Sequence, residues 1–220
     1  MSADAEHPPP RDDHAGDKPD HDALEIVATV ILGLAVLAIA WSSLQSSLWG
    51  GEQATATTQS VLTSDEANDL FQQADGIKTL DQILFVDFLT NCTSDDVDAS
   101  DDYACEQIVG NMSEPGQEAF AAWAEEEDQF LPFETDEYND TIYGDAEAGL
   151  ADSDALFAEA GDANTNGDRY ETAASSLAMV LFFAGISLVI GWVRLRWVLL
   201  GIAAVILVWA GVYLAGLPTV

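Results

Sequence analysis

The run of ligand-type side chains in this sequence that comes nearest to a metal-binding motif is Asp162, Asn164, Asn166, Gly167 and Asp168, spaced as D-x-N-x-N-G. That spacing is the first half of a calcium loop, in which alternate oxygens turn toward one cation. The second half is missing: the twelfth position is Ala173, where a bidentate Glu belongs, and Glu171 falls one residue past the ninth. Asp162, Asn164, Asn166 and Asp168 are therefore weak metal candidates. The preferred reading is a helix approaching a membrane, with Arg169 extending its long stem to water and Tyr170 at the interface. His7, His14 and His21 recur every seven residues but lie amid Pro and Asp, which reads as a solvated arm and not a metal site. No Ser-His or Cys-His pairing occurs outside that arm, no glycine-rich phosphate loop and no zinc spacing. Carboxylate pairs such as Glu125 and Asp128 are unavoidable at this acid content. The expectation is a protein that is not an enzyme and carries no cofactor.

Two other patterns point to covalent modification. Cys92 and Cys105 are the only cysteines, and in an oxidising compartment an even pair reads as one disulfide closing a short loop. Such a loop is worth about 3 kcal/mol by chain entropy. Reduced thiols are the alternative. Asn91-Cys-Thr, Asn111-Met-Ser and Asn139-Asp-Thr are glycosylation sequons, against about 0.7 expected by chance from the Asn, Ser and Thr content.

Charge explains the solvent. Acids outnumber bases 39 to 6, for a formal net charge of −33, yet 49% of the residues are hydrophobic. The two properties are segregated: residues 50 to 170 hold 30 acids against Lys78 and Arg169, whereas 172 to 220 hold none. Self-repulsion of that size is screened in molar salt, where the Debye length falls to about 3 Å. We read an extreme halophile, with cations held loosely over the acidic surface. A nucleic-acid partner is disfavoured, because phosphate binding needs a basic patch.

Three apolar runs are long enough to cross a hydrocarbon layer of about 30 Å at about 1.5 Å per residue. They divide the chain into an acidic cytoplasmic tail at 1–23, expected to be disordered, and a first transmembrane helix at 24–48. An acidic helical extracellular domain follows at 49–170. A second span at 171–193, a cytoplasmic turn at 194–196 and a third span at 197–217 complete it. The fold class is an all-α membrane protein with its extramembrane domain between the first and second spans. Orientation rests on Arg194 and Arg196, which make the only basic short loop and are expected to stay cytoplasmic. A cleaved signal peptide at the first run is the lesser alternative, since its leader is acidic and no small-x-small site follows cleanly.

Within the domain, Leu70, Phe71, Ile77, Leu80, Ile83, Leu84 and Phe88 give a rough helical stripe, so 54–90 is expected to extend the first span as a stalk. Ser113 is expected to cap a helix from Glu114 to Phe130, ended by Pro132, with Phe120 and Trp123 on one face. Asp152 to Tyr170 is expected to form a second stalk leading into span two. At the foot of the first stalk, Trp41, Gln45 and Trp49 recur at i, i+4 and are expected to share a face at the membrane exit. A polar pore or ligand site lined by Ser42, Gln45 and Ser46 is the functional alternative there.

The stretch Trp41, Ser42, Gln45, Trp49, Gly51, Glu52, Gln53, with Gly167, Asp168, Tyr170 and the run Leu181-Phe-Phe-Ala-Gly-Ile186, resembles an uncharacterised family of small bacterial and archaeal membrane proteins. The resemblance implies one N-terminal span, a helical segment and a C-terminal hairpin of two spans, and brings no activity with it. It covers both membrane regions; the acidic insert from about Cys92 to Gly149 matches nothing known to us. The expected function is binding or assembly in the membrane or envelope of a halophile, with the bilayer as first partner. Gly211 and Ala215, four apart, leave room for self-association. The alternatives are an oligomeric channel or transporter subunit and an energiser of the proton-driven motor type.

Overall fold

The computed structural model describes residues 18–93, 99–125 and 131–220. Expectations placed on His7, His14, Asp128 and the end of the helix at Phe130 lie outside the described residues. Helix α1 runs Lys18–Asn91, α2 Ala99–Gly110, α3 Glu114–Glu125, α4 Asp136–Val189 and α5 Val193–Ala215, with one short 3-10 turn at Pro132–Glu134. No strand occurs among the described residues. The segment expected as a tail up to residue 23 is thus helical from Lys18. The two expected stalks are parts of α1 and α4.

The chain divides into two compact units, Met1–Gln53 with Asp162–Val220 and Ala54–Gly161. The first holds the apolar parts of α1 and α4 and all of α5, and these three helices are long and apolar enough to cross a membrane. Its interior is built from Leu24, Ala28, Ile31 and Ala35 of α1, Leu177, Val180 and Ala184 of α4, and Leu200, Ala203 and Ala210 of α5. The outward residues are equally apolar, with Ile26, Leu37, Val205 and Val212 each more than half exposed. That is the composition a lipid-facing surface demands. Gly211 and Ala215 lie on the exposed side of α5, and a Cβ at Gly211 would meet nothing.

The connection between α4 and α5 falls at 190–192, not at 194–196. Trp192 is extended, with φ −89° and ψ 107°, and the amide of Arg196 already donates to the carbonyl of Trp192. Both arginines therefore sit in the first turn of α5, Arg194 exposed and Arg196 buried. A charged residue ends an apolar run in a sequence, but a long aliphatic stem lets arginine remain inside the helix near its end.

In the acidic unit, α1 and α4 pair in antiparallel fashion. Ser60, Ala67, Ala74 and Asp81 are buried at intervals of seven along α1, and Ala146, Ser153 and Ala160 at the same interval along α4. A seven-residue repeat is the seam of a left-handed pair. Small residues bring the backbones close: a Cβ at Gly149 would lie 3.0 Å from that of Ala67. Near the end of the pair away from the head, Ser60 and Ser153 each donate to the other's backbone carbonyl at 2.9 Å. The expected stripe is half right. Leu70, Phe71, Leu84 and Phe88 are partly buried, but Ile77, Leu80 and Ile83 are 39%, 50% and 60% exposed. Large apolar residues fall on several sides of the segment, so hydrophobicity alone could not pick the face that Ala67, Ala74 and Asp81 define.

The head of this unit is aromatic. Phe85 of α1 meets Trp123 edge-on at 4.9 Å and Phe133 at 5.7 Å, while Phe88 meets Phe120 at 4.8 Å. Met112 and Tyr138 complete the cluster. Phe120 and Trp123 thus share the inner face of α3, as their spacing implies.

Candidate functional site

Two polar clusters are built into this fold, one in each unit. The first gathers the motif residues of the membrane unit. Gln45, 3% exposed, accepts from the backbone amide of Val220 at 3.2 Å through its side-chain oxygen. Trp49 donates its indole N–H to the carbonyl of Pro218 at 3.2 Å, and the buried Tyr170 donates its hydroxyl to the same oxygen at 3.1 Å. The segment after α5 is therefore clasped by α1 and α4 together. Gly167 packs on this site, where a Cβ would make ordinary contact with Ser46 and Trp49 at 3.7 Å. Ser46 in turn donates to Glu171 at 3.4 Å.

Trp41 is not part of the clasp. It is 47% exposed, whereas Ser42 is fully buried and donates to the carbonyl of Ala38 at 2.9 Å. The inward face is Ser42, Gln45, Trp49, spaced three and four apart. The expectation of one face for Trp41, Gln45 and Trp49 thus fails for its first member: two positions four apart each way turn out to straddle the seam. The Ser42 hydroxyl is spent on its own helix and the Gln45 side-chain oxygen on the C-terminal segment.

Asp162 to Asp168, read as half a calcium loop, lie inside α4. A continuous helix cannot wrap alternate side chains around one ion. Asn164 donates to Asp168 at 3.2 Å, and the exposed Arg169 donates to Asn166 at 3.3 Å. Among the described residues, no group of three or more His, Cys, Asp and Glu is arranged to hold a metal.

The second cluster centres on Asp81, a fully buried acid that the sequence reading did not single out. Its carboxylate accepts three hydrogen bonds: from the amide of Ser113 at 2.7 Å, from the Ser113 hydroxyl, and from the hydroxyl of Tyr138 at 2.8 Å. The Ser113 oxygen also accepts from the amide of Gly116 at 3.0 Å, capping α3 as its position ahead of Glu114 implies. The carboxylate therefore sits at the positive end of the α3 dipole. Gly116 is required by this approach, because a Cβ there would run into the Asp81 carboxylate. Burial, and then the hydrogen bond to Asp81, raise the Tyr138 phenol well above its ordinary value. One helix turn away, Tyr143 donates to Asp75 at 2.6 Å; that bond, with partial burial, pushes its phenol up to about 12. Lys78, the one base of this unit, donates to Asn139 at 2.9 Å and lies 5.8 Å from the centre of the Tyr143 ring. A signal for Asp81 was present in the seven-residue recurrence from Ser60, which marks a seam whatever the residue type.

Cys92 and Cys105 are joined as a disulfide with their Cα atoms 5.8 Å apart, tying the end of α1 to α2. Of the sequon asparagines, Asn91 and Asn111 are exposed and Asn139 is half-buried.

The fold and these clusters define an all-helical, polytopic membrane protein with an extramembrane helical hairpin. Set against known families, characterised proteins and solved structures, the chain finds no match in any of the three.

Proposed function

We propose that the protein is a membrane-anchored binding or assembly module of a halophile, with its acidic unit on the outer side of the cell membrane. The observation that carries this reading is how the polar groups inside the acidic unit are used. Asp81, Ser60, Ser153, Tyr138 and Lys78 bond one another or their neighbours across the hairpin. Interior polarity is spent on holding the hairpin, and the carboxylates that face water are what remains to meet a partner. Orientation is supported by Arg194 and Arg196 at one end of the three-helix unit, with Trp49, Tyr170 and Pro218 together at the other. Of the motif residues that resemble the three-span family, Gln45, Trp49, Gly167 and Tyr170 are, on this reading, shared because they form the clasp over the C-terminal segment.

Topology is tested in intact cells with a membrane-impermeant maleimide, since the native cysteines are paired. A cysteine replacing the exposed Gln72 should label from outside, and one replacing Gly191 should not. The reverse pattern overturns the outward placement. Conductance of the purified protein in planar bilayers would replace the assembly role with that of a channel subunit.

A further inference from the structure

The three sequons look equivalent as sequence, but the fold separates them. Asn91 is the last residue of α1, exposed, and its side-chain amide donates only to Asp87, one turn back on its own helix. Thr93, the hydroxyl residue of that sequon, is also exposed. Asn111 lies in the turn between α2 and α3, exposed, and its amide donates to the carbonyl of Gln107 at 2.8 Å. These bonds are local, so a substituent on the nitrogen projects into water without parting two elements. Asn139 differs. It is half-buried in the first turns of α4, its oxygen accepts from Lys78 of α1 at 2.9 Å, and its nitrogen donates to Thr135 at 3.0 Å. A sugar on that nitrogen would press on Thr135 in the half-buried first turn and turn the amide whose oxygen Lys78 holds across the hairpin.

We infer that Asn91 and Asn111 carry N-linked glycans and that Asn139 is a structural residue whose sequon stays unmodified. The reaction joins the Asn side-chain nitrogen to the anomeric carbon of a glycan on a lipid phosphate donor. The carbon–oxygen bond to phosphate breaks, the lipid phosphate leaves with the electron pair, and the amide loses one proton. A glycosyltransferase on the outer side of the membrane supplies donor and catalysis, so the inference rests on the outward placement proposed above. Asn111 adds a constraint of timing. The hydroxyl of its sequon residue, Ser113, is held by Asp81 in the fold, so the sugar is added before the head closes on α1. The Asn91 sequon is constrained in its own way: its middle residue, Cys92, is tied to Cys105 and the Thr93 hydroxyl donates to the Leu89 carbonyl at 2.6 Å, so its sugar too is added before the chain closes there.

The test is intact and peptide mass spectrometry of the full chain purified from its own host, with acid-specific proteolysis because bases are scarce. Glycan mass is expected on the Asn91 and Asn111 peptides and none on the Asn139 peptide. Thr93→Ala, which leaves the asparagine in place, should remove one glycan mass. Asn139→Gln should leave the mass unchanged apart from the substitution and lower the melting temperature of the acidic unit. Sugar on Asn139 at the level of the other two overturns the assignment. So do bare Asn91 and Asn111 in a chain whose Gln72→Cys variant labels from outside. Bare sequons in a chain that labels only from inside sink the outward placement itself.

Discussion

Each unit buries one tyrosine whose hydroxyl ends on a single acceptor, and the two acceptors differ. Tyr138 in the acidic unit donates to a carboxylate, whereas Tyr170 in the membrane unit donates to a backbone carbonyl. The seams follow the same division. Both are lined by small residues at helical-pair spacing, Ala28 and Ala35 in one, Ala67 and Ala74 in the other. In water, burial itself drives such a seam together. In lipid the surroundings are as apolar as the seam, so close packing and interhelical hydrogen bonds must do it. The membrane unit meets this with several bonds to one segment, and the acidic unit with one buried carboxylate at which three elements meet. A pattern of interior residues can thus be shared across solvents while the polar fastening changes with each.

The largest test of this contrast is Asp81→Ala. It leaves the Ser113 amide, the Ser113 hydroxyl and the Tyr138 hydroxyl without their acceptor, at a cost of about 3–5 kcal/mol. Unfolding of the full chain, followed by the near-ultraviolet ellipticity of the aromatic head, should show that loss. Gly116→Ala should do comparable damage by pushing Asp81 away, and an unchanged transition in either variant would show that Asp81 does not hold the head. Reduction of the Cys92–Cys105 bond, which closes a separation of 13 residues, should cost about 3 kcal/mol and release α2 while leaving the membrane helices in place. Amide exchange confined to 99–110 is the readout.

The tyrosines come next. Tyr138→Phe removes a bond to a side-chain carboxylate and should cost about 2 kcal/mol, whereas Tyr170→Phe removes a bond to a backbone carbonyl in the membrane unit and should cost about 0.6 kcal/mol. Equal effects would erase the contrast. The acidic unit should also respond to alkali. Tyr143 is raised from an ordinary 10.0 to about 12, and Tyr138 is raised as well. A phenol raised in the fold adds stability that is whole below pH 10.0 and is lost as the pH climbs toward about 12. Melting temperature against pH, with Tyr143→Phe as comparison, should show a decline across that window that the variant blunts.

Much of this was legible because membrane spans and cysteine pairs are coarse signals. Three apolar runs fixed the helices, two cysteines could pair only with each other, and Ser113 ahead of Glu-Pro-Gly announced a cap. What hid were features set by position and not by type. Asp81 is one of 39 acids, and only its place in the Ser60, Ala67, Ala74 series distinguishes it. Small seam residues carry little hydrophobic signal, so the larger Ile77, Leu80 and Ile83 drew the expected stripe away from the true face. The turn near Arg194 was misplaced for the opposite reason, since charge is a loud signal and marks a helix end less sharply than Gly191 and Trp192 do.

The smallest effect isolates that seam. Gly144 and Gly149 both lie inside α4, and glycine in a helix costs about 1 kcal/mol relative to alanine. A Cβ at Gly144 meets nothing within 4 Å, so Gly144→Ala should stabilise the acidic unit by nearly that amount. At Gly149 the new methyl would sit 3.0 Å from the Ala67 methyl. The helices must then part by a few tenths of an ångström, which also stretches the Ser60–Ser153 bonds further along the same pair. Gly149→Ala should therefore gain nothing or lose slightly. A rise in melting temperature for Gly144→Ala with none for Gly149→Ala would show that the hairpin is held by closeness of its backbones; equal gains would mean that the seam has slack and that its small residues are there for helix propensity alone.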